Sequence, residues 1–254
     1  MTVDSDKNTP RQLTFRLNLD DDATFANFYI KDADSSSASV AQYLRQAVSR
    51  FVSSREQSGS GTVLSEFIWL FGAQGAGCSH LLQAVCHDID ALGLQSFYLD
   101  FSVQTGLTPD VLQELESVTV LCLDSVELLQ GRPEWERELF NLYNRMAESN
   151  TPLIVASKTS PKYLNFELAD LNSRMQSAAV FQLDSLSDED KAAALKLRAR
   201  RRGFELSDEV ATYLVSRSER SMSSLFEVLQ KLDQHSLETR RKVTLPLLKT
   251  MMKW

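Results

Sequence analysis

The stretch Phe67-Ile68-Trp69-Leu70-Phe71-Gly72-Ala73-Gln74-Gly75-Ala76-Gly77-Cys78-Ser79-His80 decides the fold. Phe67 to Phe71 is an apolar run, as a buried strand requires. A helical spacing of apolar residues leaves the glycines, from Ser79 to Leu92. Strand, glycine-rich turn and helix in that order make Gly72-x-x-Gly75-x-Gly77-x-Ser79 a phosphate loop. In such a loop, backbone N–H groups and the helix N-terminus face phosphate oxygens. Glycines let the backbone approach closely and take positive φ. One position departs from the motif: Cys78 stands where a lysine belongs.

Working outward, further apolar runs alternate with helical patterns. Ser96–Asp100, Val118–Asp124, Pro152–Ser157 and Ala179–Leu183 read as strands beside Phe67–Phe71. Near-continuous apolar strands separated by helices predict a five-stranded parallel sheet covered by helices on both faces. Helices are expected over Val40–Val52, over Pro109–Leu115, and from Pro133 to about Ser149. After Leu186 the strands stop. Ser187-Asp188-Glu189-Asp190 is a helix-capping sequence, Gly203 ends the helix it opens, and Ser207 caps the next. Residues 186–254 therefore form a small all-helical appendage, residues 23–185 the α/β domain, and residues 1–22 a flexible N-terminal segment.

Composition narrows the function classes. The 254 residues are 43% hydrophobic and 24% charged, ordinary for a globular protein with a sizeable core. A net charge of -7 argues against indiscriminate nucleic-acid binding by the whole surface. No apolar run approaches a membrane span. The odd cysteine count (Cys78, Cys86, Cys122) and the lack of a signal peptide point to a reducing cytoplasm.

Ser79 sits where a hydroxyl would ligate Mg²⁺, and Asp124 ends a strand where the second metal-linked carboxylate belongs. Cys78 offers only a weak S–H donor where the lysine ammonium would offset charge on the departing phosphoryl group. Ser125 follows Asp124, so the adjacent acid that orients a water is absent; Glu127 is two residues further on. These features predict nucleotide binding with little or no autonomous hydrolysis. Phe28 and Tyr29 are candidates to lie near the base. Arg174 is either a surface residue pairing with Asp170 or an arginine finger. Gln12–Leu17 alternates apolar and polar residues, as an edge strand or as an extended peptide that docks Leu13, Phe15 and Leu17 in a partner. The basic run Lys196 to Arg202 reads as a solvated face, with phosphate contact as the other reading.

Together these residues resemble the AAA+ domain of the bacterial replication initiator DnaA, and more closely the Hda-type regulators related to it. The resemblance rests on Gln12–Leu17, Phe25-Ala26-Asn27-Phe28, Gly72–His80, Leu121–Glu127, Asn141–Arg145, Asp170–Arg174 and Leu183–Leu206. It implies an AAA+ P-loop fold whose appendage is the lid. It also implies a regulator that binds a nucleoside diphosphate and the DNA-loaded sliding clamp. Such a regulator stimulates hydrolysis of ATP on DnaA and prevents re-initiation. Carried over by position, Gln12, Leu13, Phe15 and Leu17 bind the clamp. Gly72, Gln74, Gly75, Ala76, Gly77, Cys78, Ser79 and His80 hold the phosphates, with Ser79 and Asp124 near any Mg²⁺. Arg174 acts in trans as the finger. The lid arginine is replaced by Ser223, with Arg220 one turn earlier as its stand-in. ADP is the first expectation for the nucleotide, with CDP the other. DNA is met through the clamp, and a homodimer or higher oligomer is compatible with the family. The alternative is an autonomous AAA+ NTPase acting as a loader or remodelling factor.

Overall fold

The structure is a computed structural model and describes residues 19–56, 66–103, 106–218, 221–239 and 243–252. Five parallel strands form one sheet: β1 (Phe67–Gly72), β2 (Ser96–Asp100), β3 (Val120–Asp124), β4 (Leu153–Ser157) and β5 (Ala179–Leu183). Their order is β2-β3-β4-β1-β5. β1 pairs with β4 and with β5, so the strand that feeds the glycine turn is flanked on both sides. The expected strands are all present. β3 begins two residues later than the apolar run suggests, because Val118 and Thr119 belong to the turn that enters it.

Helices cover both faces. α1 (Ser36–Glu56) and α2 (Cys78–Ala91) bury Leu44, Val48, Phe51, Leu81, Leu82, Val85 and Ile89 on one face. α3 (Pro133–Ser149) and α4 (Ala169–Met175) bury Leu139, Leu142, Met146, Leu171 and Met175 on the other. α1 starts and ends four residues beyond the expected Val40–Val52. The Pro109 segment is a single 3-10 turn, Pro109–Leu112, with Gln113 extended at its end. Trp69 of β1 is fully buried, and its indole N–H donates to Ser157 Oγ of β4 at 2.8 Å. A buried tryptophan contributes both apolar area and a hydrogen bond, provided its N–H finds such a partner.

The helical lid follows: α5 (Asp188–Arg201), α6 (Asp208–Arg217), α7 (Met222–Thr239) and α8 (Leu245–Met252). It has its own core, including Leu195, Leu206, Leu214, Leu225, Leu229, Leu232 and Leu248. The capping box at Ser187 and Asp190 is formed in both directions, and Ser207 caps α6 by accepting from Val210 N–H. Gly203 takes φ 87° just past α5.

Candidate functional site

Gly72 closes β1 and leads into the turn. It is glycine for lack of room: a Cβ there would lie 2.8 Å from the carbonyl oxygen of Leu183 in β5 and 2.9 Å from Ala76. Gly75 and Gly77 are glycine for conformation, at φ 85° and 106°. Gly77 is also the N-cap of α2. Among the described residues, the N–H groups of Gly77, Cys78, Ser79 and His80 donate to no backbone carbonyl. These are the orphan donors of a helix start, and they need an acceptor from outside the helix. The chain thus has a glycine turn, free amides and a helix dipole at one place. Diphosphate oxygens match that donor set.

Two other parts of the chain lie against the turn. A Cβ on Gly77 would lie 2.7 Å from the Phe28 ring, and one on Gly75 would lie 3.6 Å from Met222 Cγ. The first residue of α7 therefore rests on the phosphate loop. Phe28 stacks obliquely on His80, with ring centroids 5.4 Å apart. The His80 ring does not turn toward the loop; its Nε2 lies 2.7 Å from the Thr24 carbonyl oxygen. Burial pushes the His80 pKa down to about 4, so the ring is neutral at physiological pH and Nε2–H donates to that carbonyl. A phosphate contact from His80 would come from its backbone, not its ring.

Phe28, Tyr29 and Ile30 form one wall of a pocket of about 400 Å³. The opposite wall is α5, through Ala193, Lys196, Leu197 and Arg200. Tyr29 reaches the lid, its hydroxyl 3.4 Å from Asp190 Oδ1. Phe28 lines this pocket and also lies against Gly77 of the glycine turn, so the two are contiguous.

Asp124, at the end of β3, is buried. It accepts from the Tyr98 hydroxyl at 3.0 Å and from Ser125 N–H at 2.8 Å. Burial raises its pKa; Ser79, Tyr98 and Ser125 all favour the charged form and offset part of that rise. Ser79 and Asp124 are thus brought together. Cys78 faces the same group. Burial, with Asp124 and then Glu127 nearby, pushes its thiol up to about 12. It is neither a cation nor a reactive thiolate at physiological pH.

Glu127 is closer to the loop than its place in the sequence suggests. Ser125 takes φ 59° and turns the chain into a 3-10 turn, Val126–Leu129. Both Glu127 carboxylate oxygens are then shielded from solvent, with no hydrogen-bond partner among the described residues. This orphaned carboxylate and Asp124 both act on Cys78, the neighbour of Ser79; hard oxygen donors of this kind suit a divalent cation, so the residues present fit Mg²⁺.

Arg174 is elsewhere. It is exposed on α4, packed against the face of the sheet opposite α2. It also lies near the end of the sheet where β1 and β5 start, whereas the glycine turn lies where β1 finishes. The five residue steps of β1 separate those ends by roughly 16 Å. Among the described residues it forms no ion pair with Asp170. Its guanidinium lies over the Tyr143 ring instead, 5.7 Å from the centroid.

The basic run of α5 differs most from its sequence reading. Arg198 is 3% exposed, not solvated; it donates to Asp20 at 2.8 Å and lies 3.9 Å over the Phe226 ring. Its Nε is 3.4 Å from Asp22, too poorly aligned to hydrogen-bond. Arg202 binds Asp22 and Asp233, and Lys196 pairs with Asp208. Asp20, Asp22, Asp208 and Asp233 thus supply the counter-charges of this run. Leu19 to Asp22 are thereby held between α2 and α5; Gln83 accepts from Asp20 N–H at 2.7 Å. Gln12, Leu13, Phe15 and Leu17, and the lid residue Arg220, lie outside the described residues. Ser223 is exposed on α7, 3.2 Å from Ser221.

A parallel sheet with a glycine turn after an interior strand, a strand-end carboxylate and a helical lid defines an AAA+-type P-loop protein. The chain belongs to the family of the bacterial DnaA ATPase domain, whose model matches residues 19–182, and its lid is of the Hda type, matched over residues 188–252. Solved structures agree on the fold. Domain III of the Thermotoga maritima initiator DnaA superposes with TM-score 0.64 at 19% identity, covering 92% of this chain and 97% of that one. AMPPCP-bound DnaA from Aquifex aeolicus gives 0.64 at 20% identity, covering 87% and 68%. The Thermotoga maritima RuvB branch-migration motor gives 0.54 at 16% identity, covering 84% and 68%. Among the described residues, no helix is long and apolar enough to cross a membrane.

Proposed function

We propose that this protein is a nucleotide-holding regulator of replication initiation. It binds a nucleoside diphosphate, docks on the DNA-loaded sliding clamp through Gln12, Leu13, Phe15 and Leu17, and supplies Arg174 in trans to ATP on the initiator DnaA. Hydrolysis of that ATP leaves the initiator in its ADP form and limits re-initiation. The observation that carries the reading is the separation of parts. The phosphate loop has its backbone donors but lacks its lysine, while the exposed arginine lies at the opposite end of the sheet, out of reach of the chain's own loop. AMPPCP is bound by a DnaA of the same fold, which supports nucleotide binding here.

In this reading the amides of Gly77 to His80 hold the diphosphate, and the pocket between Phe28–Ile30 and α5 takes the base, adenine before cytosine. Ser79, Asp124 and Glu127 would hold Mg²⁺, which supplies positive charge at the phosphates when bound. Cys78 adds none. A reconstituted assay tests the proposal: pure protein alone, then with initiator–ATP, then with clamp loaded on DNA. The expected result is no turnover alone and strong stimulation only with the loaded clamp. Equal stimulation without clamp, or with Gln12→Ala, would overturn the clamp assignment.

The second reading, an autonomous NTPase acting as a loader or remodelling factor, draws on Glu127. Its buried carboxylate near the loop could orient a water. Turnover by the pure protein, abolished by both Asp124→Asn and Glu127→Gln, would establish that reading.

A further inference from the structure

Arg174 does not extend alone into solvent. Its guanidinium lies over the ring of Tyr143 on α3. That ring is braced from a second side by Phe67, edge-on at 5.2 Å and 71°. Phe67 is the first residue of β1, the strand that ends in the phosphate loop. The Tyr143 hydroxyl is 3.3 Å from Ser177 Oγ, and Ser177 Oγ donates to the carbonyl oxygen of Arg174 itself at 2.7 Å. Phe67, Tyr143, Ser177 and Arg174 thus form one linked unit that fixes both the backbone and the head of the arginine. The helix beneath is equally constrained. Buried Glu136 accepts from Leu168 N–H at 3.0 Å, and the Asn172 side chain pairs with both Phe166 N–H and its carbonyl oxygen.

An arginine side chain free in water samples many rotamers and loses that freedom when it engages a partner. An aromatic face under the guanidinium narrows the set beforehand, through cation–π attraction and stacking. We propose that Tyr143 is the positioning residue for Arg174: it presents the guanidinium in the orientation that meets the partner's nucleotide. This rests on the proposed function, since it assigns Tyr143 a role in stimulating the initiator's ATPase. Tyr143 itself touches no substrate.

The test measures ATP hydrolysis by the initiator with clamp-loaded DNA, titrating this protein, for wild type, Tyr143→Leu, Tyr143→Phe, Ser177→Ala and Arg174→Ala. Misplacing a group by about 1 Å can cost about 100-fold in rate, so Tyr143→Leu should lower the maximal stimulated rate by about 10- to 100-fold. The concentration giving half-maximal stimulation should stay within about twofold, because the docking surfaces are intact. Tyr143→Phe keeps the ring and should recover most of the rate. Ser177→Ala removes no packed ring, so it keeps the test open should Tyr143→Leu fold poorly; it should lower the maximum in the same sense. Full stimulation by both Tyr143→Leu and Ser177→Ala, with Arg174→Ala inactive, would overturn the positioning role alone. So would a change in half-maximal concentration without a change in maximum. An active Arg174→Ala would instead remove the finger, and this role with it.

Discussion

Replacing Arg198 with alanine should destabilise the protein more than any other loss of charge on α5. The side chain is 3% exposed, lies 3.9 Å over the Phe226 ring, and binds Asp20 at 2.8 Å. A desolvated cation–π contact contributes about 2 kcal/mol. The Asp20 side chain is 53% exposed, so solvent screens that ion pair to about 1 kcal/mol. Together these give a loss of about 3 kcal/mol. For a chain of this length, each kcal/mol lowers Tm by about 2–4 °C, so the drop should be about 6–12 °C in a thermal melt. Asp20→Asn should cost only about 1 kcal/mol, since it leaves the arginine on Phe226 and near Asp22. The pH dependence has a definite sign. Burial pushes the Asp20 pKa up, but Arg198 and the Asp22 N–H outweigh it, leaving it below the ordinary 3.8. A lowered carboxylate pKa contributes stability above 3.8 that is lost as pH falls through the folded value. The gap between wild type and Asp20→Asn should hold from neutral pH to about 5 and close in stronger acid. A Tm change of under about 1 °C for Arg198→Ala, or a loss for Asp20→Asn as large as for Arg198→Ala, would refute this reasoning.

Other outcomes follow from the site. Asp124 has a raised pKa, so its contribution is full below the ordinary 3.8 and lost as pH rises through the folded value. Asp124→Asn should therefore leave thermal stability at neutral pH equal or higher, steepen the acid limb of the stability profile, since the group gains stability as pH falls, and abolish any Mg²⁺-dependent shift. Cys78→Lys places an ammonium beside Asp124, Glu127 and the phosphates. A charged hydrogen bond contributes about 1.5–3 kcal/mol, so ADP should bind about 10- to 100-fold tighter by calorimetry. Gly77→Ala meets φ 106° and the Phe28 ring at 2.7 Å together. It should cost about 1–3 kcal/mol in a denaturant titration and weaken ADP binding.

Much of the architecture was legible because its signals are local. Each strand is an apolar run, and the lid helices carry their own caps at Ser187, Ser207 and Gly203. The phosphate loop was legible for the same reason, since turn and helix start are contiguous. What the sequence hid depends on distant pairing. Arg198 and Asp20 are 178 residues apart, so the basic run of α5 read as a solvated surface until the fold joined them. Glu127 looked misplaced because the αL residue Ser125 that redirects the chain has no glycine to announce it. Glu136, buried at 1%, resembled any exposed acid in the first turn of a helix. Its two bonds, from Gly131 and Leu168, appear only once the loops before α3 and α4 converge. The aromatic support under Arg174 spans α3 and β1, and no short-range pattern marks it.

The central claim is that Arg174 acts on another molecule's ATP while the chain's own loop only holds a nucleotide. Single-turnover hydrolysis of ATP pre-bound to the initiator, on clamp-loaded DNA, tests it most directly with wild type and Arg174→Ala. Loss of a finger costs about 10³–10⁵ in rate, so Arg174→Ala should return hydrolysis to the unstimulated level while still binding ADP and the clamp as wild type does. Stimulation by Arg174→Ala at the wild-type rate would contradict the account.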